Sequence, residues 1–176
     1  IGRAFQLTNL FPALSVLENI RLAVQAQSGL GWRVWRQAKR FTELTARAER
    51  YLEATKLEKV AHLAAAALPH GDQRKLELAM ILAPDPEVLL LDEPTAGMAS
   101  EQVPELMALI AQIQERGDKT VVLVEHNMNV VMSASDRITV MHQGAVLAEG
   151  TPAEISANET VQTAYLGSLY DEEAAE

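Results

Sequence analysis

Three sets of polar residues stand where apolar, strand-like runs stop. In "EVLLLDEP", Val88 to Leu91 lead straight into two adjacent carboxylates, Asp92 and Glu93. Neighbouring acids repel each other, so something close by must compensate them, and a divalent cation held against a phosphate chain fits that need. "VVLVEHN" sets Glu125 and His126 after a second apolar run, and "IGRAFQ" sets Gln6 after a shorter one. In a parallel α/β sheet, groups at the carboxyl ends of the strands line the ligand crevice. Taken singly, each has an ordinary reading: a loop glutamine, a helix-capping acid pair, a hydrogen-bonded surface histidine. Their joint occurrence, with "GDQRKLELAMILA" just upstream of the acids, singles them out.

The surrounding pattern supplies elements to position them. "IGRAFQ" reads as a short strand, and "LFPALSVLENIRLAVQAQ" as a loop running into a helix. Ser15 and Glu18 have capping-box spacing there, with Leu17, Ile20 and Val24 on one face. Gly29 and Gly31 in "SGLG" break that helix. From Trp32 to about Leu63 the pattern is helical, rich in Ala, Arg, Glu and Leu, which marks a candidate all-helical subdomain. The next helix carries Leu76, Ala79, Met80 and Ala83 at helical spacing and stops before Pro84 and Pro86.

Beyond Pro86 the pattern changes to strands alternating with helices. Val88–Leu91 is predicted to be a strand buried on both faces. Ser100 is the expected cap of a helix with Leu106, Leu109, Ile110 and Ile113 as its buried stripe, stopped by Gly117. Val121–Val124 is the next strand, and a short helix through Met132 follows. A strand pair then turns at Gln143–Gly144, and Thr151 caps a last helix with Pro152 at its first position. Strand–helix–strand with apolar strands predicts a parallel sheet of the α/β class. The tail "DEEAAE" reads as a frayed acidic end.

Bulk properties narrow the function classes. A net charge of -9 argues against a nucleic-acid surface. The densest basic group, Arg33, Arg36, Lys39 and Arg40, reads as a helix face. Zero cysteines exclude disulfides, thiolate metal sites and cysteine nucleophiles. No apolar run approaches the roughly 20 residues of a membrane-spanning helix.

With these residues in view, the chain resembles the nucleotide-binding subunit of ABC transporters. "FQ" with "NLFPALSVLENI" resembles the Q-loop region, and "LPHGDQRKLELAMILAPDP" the signature motif with its helix. "EVLLLDEP" resembles the Walker B strand, "TAGMAS" the D-loop and "VVLVEHNM" the H-loop strand. "TAGM", "VEHNM" and "LAEGTPAEI" followed by "AYLG" are most similar to importers of branched-chain amino acids or related solutes. The resemblance implies a P-loop NTPase fold with a parallel-sheet core and a helical subdomain. It implies ATP and Mg2+ as cofactors and a place on the cytoplasmic face of the inner membrane. Asp92 would reach the magnesium ion through water, Gln6 would offer its amide to the same ion, and Glu93 would act as general base. His126 would bond the γ-phosphate. Pro69, His70, Gly71, Asp72 and Gln73 would face the ATP of a second ATPase subunit, with a helix N-terminus directed at its phosphate. The surface from Asn9 to Glu18 would receive a membrane permease. Three departures stand out: Pro69 replaces a phosphate-contacting serine, His70 replaces the first glycine-like position, and Ala99 stands where an acid or amide is common, which implies slow or differently coupled hydrolysis.

One motif is absent. No G-x-x-x-x-G-K-[ST] occurs, and "RGDKT" at Arg116–Thr120 lacks its spacing. That absence, with Ile1 in first place, predicts a partial domain lacking the P-loop strand and leaving the H-loop strand with an open edge. The expected organisation is core with Q-loop over residues 1–8, helical subdomain 9–83, core with the acids and histidine 84–150, and a final helix and tail 151–176. Such a fragment alone is expected to bind ATP poorly. Two rivals remain: a non-transport ATPase of the same family serving translation or DNA repair, and an inactive interaction fragment. The insertion between Ser28 and Leu68 is short for the coiled-coil arm of the first. An upstream glycine-rich loop ending in Lys-Ser or Lys-Thr would exclude the second.

Overall fold

The computed structural model describes residues 1–3, 10–27 and 38–164. Its contacts divide the chain into two compact units, Ile1–Glu125 and His126–Glu176.

The first unit is built on a parallel sheet in the order β1 (Gly2–Arg3), β2 (Val88–Asp92), β3 (Thr120–Val124). Gly2 pairs with Leu89, and Val88 to Asp92 run in register beside Thr120 to Val124. Only a glycine fits at position 2, because a Cβ there would come within 2.7 Å of Ile81 Cγ2 and 2.9 Å of Pro86 Cγ. Three helices, α1 (Val16–Gln27), α2 (Ala38–Ala54) and α3 (His70–Leu82), precede β2, and α4 (Val103–Glu115) links β2 to β3.

Two apolar clusters share α3. Leu76, Ala79 and Ala83 join Val16, Ile20, Val24, Leu44, Ala48 and Leu52 in one of them. Leu78 and Leu82, one helical face away, join Leu89, Leu91, Leu106, Leu109, Ile110 and Ile113 in the other. Burying a side chain such as Ile20 or Leu89 contributes about 1.5–3 kcal/mol. Tyr51 packs against both clusters and donates its hydroxyl to the Ala83 carbonyl at 3.4 Å.

Several expectations hold in detail. Glu18 N–H donates to Ser15 Oγ at 3.2 Å while Glu18 Oε2 accepts from the Ser15 N–H at 3.2 Å, closing the capping box. The α4 stripe of Leu106, Leu109, Ile110 and Ile113 is buried, and Gly117 ends that helix region at φ +70.

Others need correction. Within the block read as helical from Trp32 to about Leu63, α2 ends at Ala54 and a single 3-10 turn follows at Glu58–Val60, while the stretch 28–37 lies outside the described residues. Leu57 N–H donates to Leu52 O at 2.9 Å and Lys56 N–H to Glu53 O at 3.1 Å, with Lys56 at φ 58. This is a Schellman closure made with lysine in glycine's usual place, so the breaker residue is missing. Ser100 does not cap α4: the helix begins at Val103 behind Gln102, and Pro104 occupies its first turn. β2 is buried on alternate residues, Leu89 and Leu91 being wholly inside and Val88 and Leu90 half-buried. The open edge expected for the H-loop strand is found: β3 has β2 as its hydrogen-bonded neighbour in the described sheet and lies at the edge, with Val122 45% and Val124 56% exposed.

The second unit contains α5 (Met128–Ala134), the antiparallel pair β4 (Ile138–His142) and β5 (Ala145–Gly150), and α6 (Pro152–Ser156). Gln143 at φ 48 and Gly144 at φ 79 make the predicted two-residue turn. Thr151 caps α6 in a full capping box with Glu154. Ile138, Ile155 and Val161 form the core of this unit. The acidic tail lies outside the described residues.

Candidate functional site

Asp92 closes β2 opposite Val124, and both it and Glu93 are half-buried. The chain then leaves the sheet abruptly. Glu93 adopts φ 45, a left-handed conformation that costs a residue with a Cβ roughly 1–2 kcal/mol. Its N–H still donates to the Val124 carbonyl at 2.9 Å, prolonging the ladder by one bond. Two tight turns follow, with Ala96 N–H on Glu93 O at 3.0 Å and Met98 N–H on Thr95 O at 3.2 Å. The adjacent acids are thereby separated: one continues the strand direction and the other is turned out of it.

The turn is tied to β3 and α3. Glu125 Oε1 accepts from the Thr95 N–H at 3.0 Å and from its hydroxyl at 2.6 Å. Arg74 Nη1 pairs with Glu77 Oε2 at 2.8 Å, and Nη2 reaches the Ala96 carbonyl at 3.5 Å. Arg74, Glu77, Asp92 and Pro94 line a cavity of about 20 Å³, room for one water.

The start of α3 has its own geometry. Pro69 is the N-cap with φ -57 and ψ 154, so the helix starts at His70, two residues before the expected Asp72. A Cβ on Gly71 would come within 2.7 Å of Gln102 Oε1, which places the "TAGMAS" segment's continuation against the helix start. The His70 ring lies 3.8 Å from where a side chain on Gly97 would begin. Asp72 Oδ1 accepts from Lys75 Nζ at 3.1 Å, and Gln73 Nε2 donates to the Leu68 carbonyl at 3.0 Å. Lys75 also pairs with Glu105 Oε2 at 2.8 Å. Burial pulls its ammonium down, but the hydrogen bonds and charges of Glu105 and Asp72 outweigh that and hold its pKa above the ordinary value.

The structure thus brings Asp92, Glu93 and the His70–Gln73 segment onto connected elements of one unit. His126 is exposed at the start of the second unit, and Gln6 lies outside the described residues. Among the described residues no group of three or more His, Asp or Glu side chains could hold a metal ion. A single carboxylate at the strand end fits magnesium, which is commonly held by one or two carboxylates with phosphate oxygens and water as its other ligands. Sequence reading missed the parts played by Thr95, Glu125 and Arg74. Glu125 stood only as the first half of a polar pair, and its partner lies 30 residues away.

Residues 1–96 match the ABC transporter family, and residues 145–170 match the branched-chain amino acid ATP-binding cassette transporter family. The chain belongs to the ABC transporter family. It is 41% identical to the high-affinity branched-chain amino acid transport ATP-binding protein LivG of Salmonella typhimurium, over 95% of this chain and 68% of that protein. The corresponding protein BraF of Pseudomonas aeruginosa is 38% identical over the same shares. Among solved structures, cbiO1 from Clostridium perfringens, part of the ABC transporter complex cbiONQ, superposes with a TM-score of 0.75 at 28% identity. That match covers 91% of this chain and 60% of cbiO1. MJ0796, a dimeric cassette bound to ADP and Pi, has a TM-score of 0.71 at 32% identity, covering 86% of this chain and 62% of its own. The chain therefore spans roughly three-fifths to two-thirds of the ABC proteins it matches, and its α/β fold is theirs.

Proposed function

We propose that this chain forms the larger part of an ATP-hydrolysing subunit that powers an ABC importer of branched-chain amino acids or related solutes. The observation that carries this reading is the acid pair at the end of β2 in a chain 41% identical to a branched-chain amino acid transport ATP-binding protein.

A bound magnesium ion would supply positive charge to offset that of the phosphates. Asp92 would hold that ion through water, and the Gln6 amide would serve as a second ligand. Glu93, re-aimed by its left-handed backbone, orients the attacking water and takes its proton. His126 hydrogen-bonds the γ-phosphate. A second subunit closes over the site, and the start of α3 from Pro69 to Gln73 meets that subunit's ATP, with Gly71 permitting close backbone approach and the helix N-terminus directed at phosphate.

The permease docks on the surface from Asn9 to Glu18, where Phe11 is 51% exposed. No helix among the described residues is long and apolar enough to cross a membrane. In this reading the subunit works as a peripheral protein on the cytoplasmic face of the inner membrane, touching the membrane through the permease.

The test is ATP-dependent dimerisation of the whole subunit carrying Glu93→Gln, followed by light scattering. With Mg-ATP the variant should elute at twice the monomer mass and hold its nucleotide. A monomer at saturating Mg-ATP would overturn the reading.

A further inference from the structure

The segment from Glu93 to Gly97 is held by charged side chains that lie outside it. From the end of β3, a single carboxylate oxygen of Glu125 takes both hydrogen bonds that Thr95 can donate, at 3.0 and 2.6 Å. From α3, Arg74 approaches the next carbonyl, that of Ala96. Bonds to an ionised acceptor are stronger than neutral ones. The segment needs such support, because Glu93 at φ 45 stores backbone strain that only its surroundings can maintain.

Among the described residues, the buried side-chain polar atoms without a partner are Arg74 Nε and Glu125 Oε2. Both belong to the two side chains that hold this turn. A buried unpartnered donor or acceptor is unfavourable, and apolar side chains of similar size would avoid it. Burial alone does not account for charged groups at these positions. Geometry does, since an aliphatic side chain at position 125 would leave the Thr95 N–H and hydroxyl without their acceptor.

We propose that Glu125 is a positioning residue: its carboxylate fixes the turn through Thr95 and so keeps Glu93 in the left-handed conformation that aims it, with Arg74 steadying the far side. This rests on the reading of Glu93 as the base.

Amide hydrogen exchange in the 176-residue chain, resolved by NMR, reads the clamp without any turnover. In Glu125→Ala the Thr95 amide should exchange about ten- to a hundredfold faster, while Leu89 and Leu91 within β2 stay as in the parent. Glu125→Gln, which keeps an acceptor oxygen, should restore most of the protection. Unchanged Thr95 exchange in Glu125→Ala would overturn the proposal. So would an equal loss at Leu89 and Leu91, which would make Glu125 a general support of the sheet, or a failure of glutamine to rescue. In the whole subunit, Glu125→Ala should lower kcat for ATP about tenfold with KM unchanged. If the exchange result holds while Glu93→Gln leaves turnover intact, the clamp stands and the role given to Glu93 fails.

Discussion

The Asn19 carboxamide, wholly buried at the first turn of α1, exchanges two hydrogen bonds with the backbone of Phe11. Its Oδ1 accepts from the Phe11 N–H at 2.8 Å, and its Nδ2 donates to the Phe11 carbonyl at 3.1 Å. The same Nδ2 also donates to Leu14 O at 3.3 Å and Ser15 O at 2.9 Å. One side chain thus ties the Phe11 end of the loop to α1, while Leu14 to Val16 pair with the backbone of Leu63 to Ala65. It presents Phe11 outward on a fixed loop.

Asn19→Ala removes all four bonds and takes the acceptor from the Phe11 N–H, while the Phe11, Leu14 and Ser15 carbonyls keep the backbone donors Leu14, Ala65 and Asn19. The expected loss is about 2–4 kcal/mol of stability, read as a lowered urea midpoint. A loss below about 0.5 kcal/mol would mean that the loop holds its shape unaided. In the transporter, replacing Leu10 and Phe11 with Asp should abolish uptake while leaving basal ATP hydrolysis. An unchanged uptake rate would remove the docking role.

The ion pair at the turn after α3 has a defined pH window. Lys119 Nζ lies 2.6 Å from Asp85 Oδ1 and donates to Pro86 O at 3.2 Å. The hydrogen bond and charge of Lys119 hold the Asp85 carboxyl below its usual value, and the hydrogen bond of Asp85 raises the Lys119 ammonium. A depressed carboxyl contributes stability above its unfolded pKa of about 3.9 and loses it as pH falls through the lower folded value. A raised ammonium contributes below about 10.4 and loses it as pH rises through the higher folded value. Asn tolerates the φ of 49 at this position, so Asp85→Asn removes charge without adding strain. Because the Asp85 side chain is 70% exposed, the effect should be only about 0.5 kcal/mol at pH 7. The difference from the parent should close below the lowered pKa, and a gap that persisted in strong acid would contradict the assignment.

Gly97 and Gly71 should respond in opposite ways to alanine. Gly97 sits at φ 73 with His70 atoms at an ordinary 3.8 Å, so Gly97→Ala costs about 1–2 kcal/mol from backbone strain, without a clash. Gly71 is the second residue of α3, and the atoms nearest its added Cβ belong to the flexible end of Gln102. Once that side chain swings aside, Gly71→Ala gains up to about 1 kcal/mol of helix propensity. Thermal melts of the two variants moving in the same direction would refute this.

Along β3, Val122 and Val124 expose apolar side chains beside an edge of the described sheet. Such edges recruit other strands. Replacing both valines with Lys should slow the rise of light scattering with concentration and leave the urea midpoint within about 1 kcal/mol. Faster aggregation would show that these residues stabilise the monomer.

What could be read from sequence was short-range. The Ser15–Glu18 box, the Gln143–Gly144 turn and the stop at Gly117 depend on residues within one turn of each other, so spacing alone finds them. Asp92 and Glu93 at a strand end were legible for the same reason. The end of α2 was not, because Lys56 adopts the left-handed geometry without the glycine that signals it. The open edge of β3 was legible as well, because the motif absent from the sequence belongs to the strand expected beside it. The partners of the acid turn were hidden most deeply. Thr95 meets Glu125 across 30 residues, and Arg74 meets Ala96 across 22, contacts that only the parallel pairing of β2 with β3 and the packing of α3 create.

The central claim is that Glu93 is the base for Mg-ATP hydrolysis, and steady-state ATP turnover by the whole subunit assembled with its permease tests it most directly. Glu93→Gln keeps the size and polarity of the side chain and removes its basicity, so kcat should fall by about a hundredfold or more with ATP still bound. Turnover at the parent rate in that variant would contradict it.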